Sequence, residues 1–169
     1  TDDGTRPIFR AFLPTTGSDR TFPQLSDILT NTSTFGESLP TTTRSLHFRQ
    51  IVRDNKAGGG GVDYVTKTVN VESTAGPFVI TSPGAAPGTW TVGSPQTVTW
   101  NVANTDVAPV SCTQVNIGLS TDGGQTIATL LTPTTANDGS EGFTVPNFPT
   151  ARARVEVICL IGNGASFFD

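Results

Sequence analysis

The sequence predicts an all-β, sandwich-type protein, and three observations carry that expectation. In PFVITSP (77–83) and GSPQTVTWNVANTD (93–106), Val98, Trp100 and Val102 alternate with Thr97, Thr99 and Asn101. That is the period of a half-buried strand, apolar on one face and polar on the other. Similar runs recur along all 169 residues, and no long helical pattern interrupts them. Only 14% of residues are charged, while Gly, Pro, Ser and Thr are plentiful, as befits a folded β protein rich in turns.

The first half opens on a polar lead, followed by Pro7–Leu13 as a candidate edge strand. Leu25, Ile28 and Leu29 follow Pro23 at i, i+3, i+4 spacing, which predicts one or two helical turns. Leu46, Phe48 and Val52 alternate with His47, Arg49 and Arg53 and make a strand. The glycine-rich stretch 54–61 turns the chain back, and Val65, Val69 and Val71 line one face of the returning strand. Glu72-Ser-Thr-Ala-Gly-Pro77 reads as a linker, with a domain boundary near residue 75: a module over 1–75 and another over 76–169.

The second module reads as strands over 78–81, 96–102, 113–120, 126–132, 141–145 and 153–159, with an apolar end at Phe167-Phe168. Ser120-Thr-Asp-Gly-Gly-Gln125 and Asn137-Asp-Gly-Ser140 are hairpin-type turns. The first module supplies only three or four strands where an Ig-like sandwich needs about seven. It is therefore expected to be incomplete, and the C-terminus is expected to continue past Asp169.

A formal net charge of −4 argues against nucleic acid, whose binding needs clustered Lys and Arg. No run of about 18 apolar residues exists, so no helical membrane span is expected. Thr1 in place of Met predicts a mature or trimmed chain.

Cys112 and Cys159 are the two cysteines. If the strands Thr113–Leu119 and Ala153–Cys159 pair antiparallel, the start of one lies beside the end of the other. A disulfide there would stabilise by roughly 3–4 kcal/mol. Val115, Ile117 and Leu119 share a face with Thr113 and not with Cys112, so a bridge needs Cys112 just outside the regular strand, or a bulge. The alternative is two buried free thiols. The bridged reading favours an oxidising, extracellular location.

Zinc hydrolysis commonly uses His at i and i+4 on a helix with a Glu between them, and His47 is the one histidine. No G-x-S-x-G elbow is present. The sequence makes no positive case for an enzyme. The loop Arg53–Asp63 is the best candidate site: its four glycines let carbonyls turn inward, and Asp54, Asn55 and Asp63 could offer hard oxygen ligands to calcium. The competing reading is a hairpin loop whose Asp and Asn bond their own backbone. Asp122 and Asp138 are weaker candidates of the same kind. Trp100 falls on the apolar face of its strand and is expected in the core with Val98, Val115, Ile117 and Val157. Trp90, beside Gly88, is expected at the surface and is the candidate ligand-binding residue, stacking on a sugar.

RTFPQLSDILTNTSTFGESLPTT (20–42), FRQIVRDNKAGGGGVDY (48–64) and FVITSP with VTWNVANTDVAPVSCTQVNIGLSTDGGQT (78–126) resemble the non-catalytic C-terminal region of large secreted bacterial zinc metalloproteases of the reprolysin-like kind. The second half is also similar to an Ig-like domain of Ser/Thr-rich fungal cell-wall proteins. The resemblance implies two Ig-like or fibronectin-like β-sandwich modules in tandem, the first incomplete. It implies an exported accessory region with no catalytic residue of its own, carried beside a parent protease domain. As spacer, stabiliser or docking module, it would meet protein substrate or cell-envelope glycan. The alternative from another class is a glycan-binding or adhesive module.

Overall fold

The computed structural model describes residues 2–17, 20–84, 88–161 and 167–169. It is mostly antiparallel β-structure with a single short helix, α1 (Leu25–Thr30), among the described residues. β1 (Arg44–Arg53) and β2 (Val62–Val71) form a two-stranded sheet. β3 (Val79–Ser82), β4 (Pro95–Asn101) and β7 (Ser140–Thr144) form a second, in the order β3-β4-β7. β5 (Gln114–Ser120), β6 (Thr129–Ala136) and β8 (Arg154–Cys159) form a third, in the order β6-β5-β8.

The two three-stranded sheets pack on each other in a sandwich-like body. Val98 and Trp100 from β4 meet Val115 and Ile117 from β5 and Val157 and Cys159 from β8 in one buried cluster. All five expected core residues lie there, none more than 4% exposed. The alternation of β4 dictates this: Val98 and Trp100 point inward, while Thr97 and Asn101 stay at the surface.

The disulfide Cys112–Cys159 closes one end of the body, with a Cα–Cα distance of 6.0 Å. β5 and β8 pair antiparallel with Val115 opposite Cys159. Cys112 lies two residues before β5, outside the regular strand, as the facing argument requires. Ser111 takes a left-handed φ of 57°, and this kink lets Cys112 turn inward although its strand parity is wrong.

A polar network sits inside the same body. Trp100 Nε1 donates to Asn137 Oδ1 at 2.7 Å. Asn137 Nδ2 donates to Thr105 Oγ1 at 3.1 Å and to the Cys112 carbonyl at 2.9 Å. Asn137 and Thr105 are both buried, so these bonds satisfy groups that water does not reach. Gly139, two residues further along the turn, has φ +97°, and a Cβ there would lie 3.2 Å from the Trp100 carbonyl.

β6 differs from the expected 126–132. It starts later because Thr126 belongs to the preceding loop: its N–H and hydroxyl both donate to the Asp122 carboxylate. It ends later because the ladder survives Pro133. Thr134 takes φ 57°, the register shifts, and the Asn116 side chain accepts the Thr134 N–H at 2.9 Å. The candidate edge strand over 7–13 reduces to a single bridge, Phe9 opposite Glu37. That segment is held by side chains: Phe9 packs on Phe22 and Phe48, and the buried Glu37 pairs with Arg20 at 2.6 Å.

Many carboxylates here accept hydrogen bonds, which gives stability a definite pH dependence. The backbone N–H groups of Gly4 and Thr41 hold Asp2 well below the ordinary carboxylate range. The Arg6 and Thr5 N–H groups do the same for Asp3, and the Thr126 hydroxyl and N–H for Asp122. A depressed folded-state pKa contributes stability that is present above the unfolded value and lost as pH falls below it. Glu156 has the opposite sign: burial raises its pKa, so its contribution favours acid and is lost as pH rises through the carboxylate range. The depressed carboxylates outnumber it. The melting midpoint is therefore expected to fall as pH drops below about 4. Thermal melts at neutral and acid pH read it directly, and a midpoint that rises on acidification would contradict this assignment.

Candidate functional site

The β1–β2 hairpin is where function-bearing residue types gather outside the packed body. Its strands pair in continuous register from Arg44 opposite Val71 to Arg53 opposite Val62. At the base, Phe48 is half-buried, its ring 4.6 Å from Phe22. Thr43 brackets the same end, its hydroxyl bonded to Glu72 and Ser73. The far half has no such cover. Ile51, Val52, Val62, Tyr64 and Val65 are all at least half exposed. Strand alternation puts Val65 on one face with Val69 and Val71. The structure half-buries those two and leaves Val65 60% exposed, because no other element among the described residues packs on the ribbon at that height.

Pairing in register puts Arg49, Ile51 and Arg53 of β1 on one face with Thr66, Tyr64 and Val62 of β2. The Arg49 guanidinium lies 4.5 Å from the centre of the Tyr64 ring, a cation–π contact. His47, on the same face, bonds through Nδ1 to the Thr68 hydroxyl at 3.0 Å. Residues 44–71 hold five of the chain's ten Lys and Arg against two carboxylates, a formal +3 in a chain of −4. The rest of the chain is left at −7.

An open depression of about 290 Å3 lies at the hairpin tip, walled by Arg53, Asp54, Asn55, Lys56 and the Gly60-Gly61-Val62 run. This is the candidate calcium loop. Asp54 accepts from the Lys56 N–H at 3.0 Å, and this bond, with one from Gly61, lowers its pKa. A Cβ on Gly60 would meet the Asp54 carboxylate, which would have to swing aside. Asn55 takes φ 53°, a turn role. Asp63 sits in β2 opposite Val52 and accepts from the Tyr64 N–H at 2.8 Å. The loop thus uses its carboxylates on its own main chain. Calcium is expected to shift the melting midpoint no more than matched ionic strength does. A shift of several degrees that vanishes in both Asp54→Ala and Asp63→Ala would instead establish a calcium site.

Asp122 is likewise engaged: it accepts from the Ser120 hydroxyl and from the Gln125 and Thr126 N–H groups. Asp138 bonds the Ser140 N–H at 3.3 Å. Among the described residues, no three His, Cys, Asp or Glu side chains gather as a metal centre. Trp90 is half-buried where an exposed platform was expected. Its ring leans on Phe143, centroids 5.4 Å apart, and packs against the core cluster. The reason is a long-range contact: β7 carries Phe143 to it. No helix among the described residues is long and apolar enough to cross a membrane.

The basic, apolar ribbon face is the feature that sequence reasoning missed. Its signal was present as Arg49, Ile51 and Arg53 interleaved on one side, while Phe48 and Val52 occupied the other. No family model matches this chain, and neither a curated protein nor a solved structure does.

Proposed function

We propose that this chain is a non-catalytic accessory region of a secreted bacterial zinc metalloprotease, serving as spacer, stabiliser or substrate/cell-surface docking module beside a parent protease domain. In this reading it comprises two Ig-like or fibronectin-like modules with a boundary near residue 75, the first incomplete. The observation that carries it is how the interior of the sandwich-like body is occupied. Trp100, Val98, Val115, Ile117, Val157 and the Cys112–Cys159 bridge fill it, and Asn137 satisfies its polar groups. Such a filled, cross-linked body suits holding and spacing. The segments that resemble the protease region supply the context.

The isolated chain is expected to show no hydrolysis of casein or gelatin with zinc added. Metal-dependent cleavage that survives repurification would overturn the reading.

A further inference from the structure

We infer that the exposed edge of β1 is a docking strand for an extended acidic polypeptide, which adds to the hairpin as a third strand. Three observations converge on this. Among the described residues, β1 and β2 pair only with each other, so the ribbon presents strand edges that no other strand covers. Such an edge is a template for another chain, and a two-stranded ribbon gains stability from a third strand. The residues facing one side of β1 alternate cation, apolar, cation: Arg49, Ile51, Arg53. Neither arginine has an ion-pair partner among the described residues. Finally, the hairpin is formally +3 while the rest of the chain is −7; Asp2 pairs with Arg44 at 2.7 Å, which leaves +2 on the ribbon, so its field favours an acidic partner.

These facts define the partner's chemistry. A strand laid against β1 places its own alternate side chains opposite Arg49, Ile51 and Arg53. Carboxylates at two positions four residues apart, with an aliphatic residue midway, satisfy all three. The main-chain hydrogen bonds of strand addition hold the partner, and the alternate side chains select it. β1 is the edge chosen, because both arginines lie on it. The edge of β2 shows Val62, Tyr64 and Thr66 on that face. A polypeptide is favoured over a glycan because the unpaired groups of an edge strand match a second backbone.

The inference goes beyond the spacer reading and fails separately from it. A failed peptide titration leaves the protease assay untouched, and hydrolysis by the isolated chain leaves the hairpin result intact. The probe is the blocked peptide Thr-Glu-Thr-Val-Thr-Glu-Thr, titrated into the full 169-residue chain and followed by amide chemical shifts and hydrogen exchange. The expected result is shift changes and slowed exchange along residues 47–53. The same peptide with Lys for Glu should bind about tenfold more weakly or not at all. Arg49→Glu with Arg53→Glu should reverse that preference, and Arg49→Lys with Arg53→Lys should keep it. Equal binding of both peptides, or no binding at about millimolar concentration, overturns the proposal. So does concentration-dependent self-association that protects β1, which would make a second copy the occupant. Binding to anionic vesicles in place of the acidic peptide overturns it in favour of a membrane surface.

Discussion

Replacing Cys112 and Cys159 together by alanine is expected to lower folding stability by about 4 kcal/mol. The bridge closes a loop of 47 residues, and loop closure of that length restricts the unfolded chain by about that amount in the chain-entropy account. The loop contains all of β5, β6, β7 and β8, so the cross-link limits the disorder of most of the sandwich-like body. Both sulfurs are fully buried, and their loss also removes apolar contact with Val115 and Val157. Guanidinium unfolding of the parent and the double variant measures the difference. The midpoint should fall, and the slope should rise as the unfolded chain expands. An unchanged midpoint would show that the bridge closes a loop already ordered when the rest is unfolded. Alkylation without reductant, read by mass spectrometry, checks that the material is bridged at the outset.

What the sequence reveals here depends on how far each feature reaches along the chain. Strand alternation is local, so Val98, Trp100, Val115, Ile117 and Val157 could be assigned to the core before any strand was paired. The Cys112–Cys159 pairing needed one tertiary assumption, that β5 and β8 run antiparallel. The remaining obstacle, the parity of Cys112, disappears at Ser111, whose left-handed backbone no sequence pattern announces. The burial of Trp90 has no local signal, because its surroundings are set by Phe143, 53 positions away. Pro133 reads as a strand terminator, since it removes a donor. Only the Asn116 side chain, reaching across to Thr134, shows how the ladder continues. The hairpin tip was legible as a strand pair but not as an exposed one. Apolar alternation signals a face to be covered and does not say whether anything covers it.

The turn 137–140 gives the clearest case of a role hidden by local chemistry, and the second large effect follows from it. Asn-Asp-Gly is the composition of an exposed hairpin turn. In the structure Asn137 is instead 5% exposed and joins Trp100, Thr105 and the Cys112 carbonyl. Trp100→Ala is expected to cost roughly 3–5 kcal/mol, because it deletes a large buried ring whose neighbours, cross-linked by the bridge, cannot collapse into the space. Trp100→Phe keeps most of the ring but removes the indole N–H, stranding Asn137 Oδ1 at a cost of about 1–3 kcal/mol. Asn137→Ala should cost a similar amount by stranding the indole N–H. The double variant, Trp100→Phe with Asn137→Ala, removes both partners and should cost less than the two single changes added together. A double-mutant cycle by chemical denaturation reads this coupling. Strict additivity would mean that the indole N–H and the Asn137 carbonyl do not interact. Trp100 fluorescence typical of a solvated indole, measured on a Trp90→Phe background, would remove Trp100 from the core altogether.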